Sequence, residues 1–233
     1  VSPSHLQQDL TALDNWSKES HMMLHPGKCK VMYIHFSKTP FIPRPLTVNN
    51  VNLQEVSSMR ILGIHLQSNL KWDIHVNSIY HKASKRLFLL CKLKHFHLPV
   101  DDLVTVCITY IRPVVEYAAP VWQSGLPASL SNKLEKVQRR ALRIILGADF
   151  TSYPEACERL DLPTLQTRRH ELTVKFAQSL EQSKLYRHFL PPVRLEVSGR
   201  KTRSSHKLNN AFCRTVRYHS SAIQYMIRLL NNI

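Results

Sequence analysis

The sequence predicts an α+β fold, with a small mixed α/β piece followed by a mainly α-helical domain. Three observations carry that reading. Up to about residue 68, short runs of strand-forming residues alternate with turn signals. From Trp72 onward, apolar residues recur at helical steps of three and four. The chain has 233 residues, of which 43% are hydrophobic, enough for one large or two small domains with a real core.

Leu6, Leu10, Leu13 and Trp16 step by four, three and three, which predicts an amphipathic helix over about 4–23. His25-Pro26-Gly27 ends it. Lys28 to Phe36 reads as a strand, with Val31, Tyr33 and Ile34 as strand formers. Pro40, Pro43 and Pro45 make an extended loop, and Asn49-Asn50 centres a short hairpin between Leu46 and Leu53. Met59 to Leu66 is the last strand, with Gly63 in its middle. Val76, Ile79, Ala83, Leu87 and Leu90 then mark a helix over about 72–96, closed by Leu98-Pro99. Asp101-Asp102 starts the next helix, which buries Leu103, Val106, Cys107, Tyr110, Ile111 and Val114 and is kinked by Pro113. After the Gly125-Leu126-Pro127 turn, a third helix runs from Ser131 or Asn132 to Gly147. A short helix over 154–160 and a longer one over about 165–188 follow. The expected organisation is 1–68 for the mixed piece, 69–190 for the helical domain, 191–205 for a polar linker and 206–233 for a C-terminal helix.

Charge is the strongest compositional signal. Lys and Arg number 32 against 16 Asp and Glu, a net +16 with neutral His. That balance points to a polyanionic partner, most often nucleic acid; the alternative is a basic surface with no single partner. Five scattered cysteines with no C-x-x-C spacing argue for a reducing compartment, and so for an intracellular protein of nucleus or cytoplasm. Cys91, His95 and His97 lie close together, but no fourth ligand follows at zinc-site spacing. No apolar run reaches the ~18 residues of a membrane span, so no membrane partner is expected.

The basic residues are patterned. Leu134, Val137, Ala141 and Ile144 step three, four, three, and Lys133, Lys136, Arg140 and Arg143 repeat those steps one residue earlier. One residue is about 100° around a helix, so a basic stripe runs beside an apolar one. With Arg139, five cations face only Glu135. Such a row can follow a phosphate backbone, or can be a solvated helix face. Lys82, Lys85, Arg86, Lys92 and Lys94 repeat the theme over 72–96, where Asp73 is the one acid. From Arg187 to the end, nine Lys or Arg stand against Glu196 alone.

Asp101-Asp102 resembles the paired carboxylates of a two-metal site, but Pro99 precedes it and a helix follows. Acids there satisfy free N–H groups of a first helical turn. No Ser-His-Asp order or phosphate-cradling glycine loop appears, so the residues alone show no complete active site and no metal ligands.

Seven segments in one order nevertheless carry a resemblance. They are LQQDLTALDNWSKESHMMLHPGKCKVM, MRILGIHLQSNLKWDIHV, KASKRLFLL, YIRPVVEYAAPVW, KLEKVQRRALRIILG, LDLPTLQTRRHEL and YHSSAIQYMIRLLN. Together they are similar to the C-terminal part of the reverse transcriptase of non-LTR (LINE-type) retrotransposons. The resemblance implies the end of the palm and a primer-grip strand over 1–68, and a thumb-like domain over 69–190. It implies that the catalytic aspartates, the fingers and the metal-binding palm strands lie upstream. The Mg²⁺ of the full polymerase would then be bound there, with no cofactor in this chain.

HPGKCK matches the family's N-x-x-K-T/C, which places Lys28 on its lysine, a candidate proton donor to leaving pyrophosphate. His25 stands where the family usually has Asn. A surface lysine at a strand start is the other reading of Lys28. ILGIHL matches the primer grip, where Gly63 would let backbone approach the primer end and His65 would lie beside it. Lys82, Lys85, Arg86, Lys133, Lys136, Arg139, Arg140 and Arg143 are the expected contacts to an RNA–DNA or DNA duplex. Tyr117 and Trp122 read as core residues.

The expectation is a fragment of an RNA-directed DNA polymerase that cannot polymerise alone. A captured non-catalytic nucleic-acid-binding module, or a decayed element remnant, is the alternative.

Overall fold

A computed structural model describes residues 3–37 and 43–232. It is mainly helical with three small two-stranded sheets, within the α+β class. One compact unit ends at His75 and a second begins at Val76, where the sequence places the division at 68.

The first unit begins with α1 (Pro3–Glu19) and a 3₁₀ turn at Pro26–Lys28. β1 (Lys30–Val31) pairs in parallel with β4 (Gln54–Glu55). The predicted strand from Lys28 to Phe36 is thus shorter: residues 32–37 are irregular, because the ladder ends with the Val56 N–H bond to the Val31 carbonyl. Pro40 of the predicted loop lies outside the described residues. β2 (Thr47–Val48) and β3 (Val51–Asn52) form the expected hairpin. Asn49 and Asn50 take φ of 50° and 59°, the left-handed pair that a two-residue turn requires.

The segment from Met59 to Leu66 is not one strand. β5 (Ser58–Ile61) and β6 (Ile64–Gln67) are antiparallel, with Ile61 opposite Ile64. Leu62 (φ 46°) and Gly63 (φ 86°) form the turn. Gly63 therefore sits at a hairpin tip, not in a strand face. Its left-handed backbone carries the reversal that sequence alternation alone did not reveal.

α2 (Asp73–His95) leads into the second unit. Val76, Ile79, Ala83, Leu87 and Leu90 are all buried, as their spacing requires. α3 (Val100–Val106) has Asp101 and Asp102 in its first turn, as expected of a helix start. A π-turn at Cys107–Ile111 joins it to α4 (Arg112–Glu116), just before Pro113. Pro113 has no N–H to give, and the wider turn precedes it. Tyr110 is exposed, against the predicted buried face, and Arg86 lies over its ring at 4.3 Å.

α5 (Ala119–Trp122) buries Trp122, whose Nε1–H donates to the Tyr117 carbonyl at 3.0 Å. Tyr117 itself is exposed, contrary to its reading as core. α6 (Ala128–Leu146) starts directly after Pro127, earlier than expected. α7 (Tyr153–Arg159) is capped by Ser152, and α8 (Leu165–Gln182) by Thr164. α8 stops six residues before the predicted 188, at a turn that continues to Leu190.

The segment expected as a polar linker carries α9 (Arg194–Ser198), and Val193 pairs with Leu208. Only α10 (Val216–His219) and α11 (Ala222–Asn232) of the expected C-terminal helix are helical. Ala177, Leu180, Leu190, Leu208, Met226 and Ile227 form one core cluster that ties this region to α8.

Candidate nucleic-acid interface

The stripe on α6 starts from its packing. Leu134, Val137, Ala141, Leu142 and Ile145 are buried, while Ile144, predicted buried, is only half-buried. Lys136, Arg139, Arg140 and Arg143 are exposed. Lys136 to Arg143 spans about 10 Å of helix. The side chains differ in freedom. Arg139 lies over the Tyr153 ring at 5.2 Å and Arg143 over Phe150 at 5.0 Å. Lys133 is half-buried, donates to Asn77 Oδ1 at 2.6 Å and sits 5.0 Å from the Tyr80 ring centroid. It fastens α6 to α2 and has less reach than the other four.

At the other end of the same pair of helices, Lys94 donates from Nζ to the Ile145 carbonyl at 2.8 Å. The first link joins early residues of both helices and the second joins late ones, so α2 and α6 run side by side in the same direction. Lys94 also places a cation at the negative end of α6. On α2, Lys82 and Lys85 are exposed, and Arg86 is half-buried with Nη1 donating to the Tyr110 carbonyl. Beside the α6 stripe a cleft of about 670 Å³ is lined by Asn132, Lys136, Arg139, Tyr153, Thr164 and Gln166.

Glu135, read from sequence as the acid balancing this stripe, is buried instead. Its carboxylate accepts from the Tyr153 hydroxyl at 2.6 Å and from the backbone N–H groups of Leu165 and Gln166 at 3.2 and 2.6 Å. It thus caps α8 and lies 3.8 Å from Arg169. Burial, then the bond to Glu135, pushes the Tyr153 phenol well above its usual range, so it remains a donor. Arg169 is 1% exposed, donates to Ser131 Oγ at 3.0 Å and lies 6.0 Å from the Trp122 ring centroid. Burial lowers its pKa, and Glu135 opposes that shift. Sequence spacing missed this network because its members come from three separate helices. The exposed face is therefore less neutralised than counting acids along α6 implied.

In the first unit, Lys28 is exposed on the 3₁₀ turn, with no carboxylate partner among the described residues. His65 is half-buried on β6, and its N–H donates to His75 Nδ1 at 3.4 Å. Burial, then His65 and Arg60, holds the buried His75 imidazole down at about 4. Trp72 meets the His75 ring edge-on at 6.3 Å. No group of three or more His, Cys, Asp or Glu able to hold a metal occurs among the described residues. No helix is long and apolar enough to cross a membrane among the described residues.

No protein-family model and no solved structure matches the chain. Two curated relatives do. One is the RNA-directed DNA polymerase from mobile element jockey of Drosophila funebris, 24% identical over 179 residues, 76% of this chain and 19% of the relative. The other is the probable RNA-directed DNA polymerase from transposon BS of Drosophila melanogaster, 23% identical over 192 residues, 80% of this chain and 21% of the relative. The chain resembles a reverse-transcriptase region. It spans about a fifth of the length of these relatives.

Proposed function

We propose that this chain is the C-terminal part of the reverse transcriptase of a LINE-type retrotransposon, and that its helical unit holds the template–primer duplex. The observation that carries this reading is the exposed row Lys136, Arg139, Arg140 and Arg143 on a helix whose one acid is buried. A row of that kind contacts phosphates and is indifferent to base sequence. On this reading the fingers, the catalytic aspartates and their Mg²⁺ belong to the upstream part of the polymerase. The tip at Leu62 and Gly63, with His65 beside it, approaches the primer end. Lys28 is the proton donor to pyrophosphate.

The test is a salt titration of the purified chain binding a labelled 16-base-pair RNA–DNA duplex. Four phosphate contacts predict log K falling against log[salt] with a slope of about −3.6. A slope near zero refutes the reading. Primer extension by this chain alone would refute the assignment of catalysis to an upstream part.

A further inference from the structure

We propose that the turn after α8 is a stacking platform for an unpaired nucleic-acid strand, distinct from the duplex-holding stripe on α6. The turn is fixed from within. The Tyr186 N–H donates to Ser183 Oγ at 3.3 Å, and the Arg187 N–H to the Ser183 carbonyl at 2.9 Å. The Arg187 guanidinium holds the carbonyls of Leu190 and Pro191 at 3.2 and 3.1 Å. Leu190 is buried in the cluster that joins α8 to α11.

On this base Tyr186 and Phe189 are 50% and 56% exposed. Arg187–Phe189 is a 3₁₀ turn, in which residues i and i+3 eclipse after a rise of about 6 Å. The two rings accordingly stand 6.4 Å apart and within 19° of parallel. His188 adds a third ring, 4.2 Å from Phe189. The rings lie outside the core cluster, so hydrophobic packing of this chain does not account for their placement.

Spacing and charge identify the occupant. Nucleotides in a stacked strand rise about 3.4 Å each, so two steps cover ~6.8 Å, close to the ring separation. Base–aromatic stacking is indifferent to sequence and works together with a basic surround that attracts the backbone. Lys184, two residues before Tyr186, is exposed, and the segment from Arg187 onward carries nine Lys or Arg against one Glu. The site is also separate from the stripe. Glu135 of α6 engages the first residues of α8, and the platform follows its last turn, about 26 Å along the helix.

The experiment measures fluorescence anisotropy of the full chain with labelled 12-mer oligouridylate, an abasic 12-mer of equal charge and a blunt 12-base-pair duplex. Tyr186→Ala and Phe189→Ala should each weaken oligouridylate binding by about tenfold and leave duplex binding within about twofold. Phe189→Trp should retain binding, and the abasic strand should bind the native chain as weakly as oligouridylate binds the double variant. Unchanged oligouridylate binding, equal loss on the duplex, or native-like binding of the abasic strand each overturns the platform. Failure of the duplex reading would instead appear as unchanged binding when Lys136 and Arg140 are replaced. Circular dichroism checks the fold, which these exposed substitutions should leave intact.

Discussion

Glu135→Ala tests whether the second unit depends on the buried carboxylate between α6 and α8. The substitution removes the acceptor of the Leu165 and Gln166 N–H groups and of the Tyr153 hydroxyl, and takes the nearest anion from Arg169. Loss of a helix cap alone costs about 1 kcal/mol. Removing one partner of a buried charge pair costs about 3–5 kcal/mol, because the other charge stays desolvated. The two overlap, since the same carboxylate does both, so a total of about 4 kcal/mol is expected. For a unit of this size, 1 kcal/mol moves the midpoint by about 2–4 °C, so Tm should fall by ~8–16 °C. Helical ellipticity against temperature and urea reads this directly. Glu135→Gln, which keeps an acceptor oxygen, should cost about half as much. A loss below about 1 kcal/mol for Glu135→Ala would show that Arg169 and the start of α8 do not rely on it.

Neutralising Lys136, Arg139, Arg140 and Arg143 to Gln one at a time should weaken duplex binding equally for all sequences, each lowering the salt slope by about 1, whereas Lys133→Gln should lower it less and cost stability; titrations of each variant check this. The depressed pKa of His75 means that the folded state resists its protonation. Stability of the first unit should therefore be full above about pH 6.5 and decline as pH falls toward 4, with the transition followed by Trp72 fluorescence and removed in His75→Gln. Leu62, 85% exposed at positive φ, should be improved by Leu62→Asn, which creates an Asn-Gly turn and adds about 1 kcal/mol, measured by urea unfolding. Gly63→Val at φ 86° should do the opposite by a similar or larger amount.

What the sequence made legible was periodic. The buried face of α2 follows directly from its spacing, and the Asn49-Asn50 turn from its chemistry. Helix ends were less legible because the chain has only five glycines. α1, α2 and α7 instead close through His21, His97 and Asp161 in the left-handed region. In each case the next N–H reaches back five residues, as Met22 to Ser17, Leu98 to Leu93 and Leu162 to Cys157. His and Asp enter that region more often than most residues, but far too rarely for either to mark a helix end as a glycine does. The hairpin at Leu62 was hidden for the same reason. On the candidate interface, the exposure of Lys136 and Arg140 was readable from phase around the helix. The fastening of Lys133 to Asn77 and the burial of Glu135 were not, because both depend on residues distant in sequence.

The return of the chain from α9 toward α11 has a practical consequence. Val193 pairs with Leu208, Arg194 donates to the Lys207 carbonyl at 2.9 Å, and Leu190 and Leu208 share one core. Between these anchors, Gly199 to Arg203 is an exposed loop with three basic residues. A trypsin cut at Arg200 or Lys201 would break the covalent chain there and leave its packing in place. The clipped protein would migrate as two bands on a denaturing gel and elute as one species from a sizing column. That loop is accordingly the place in this unit to insert an affinity tag or a spectroscopic label.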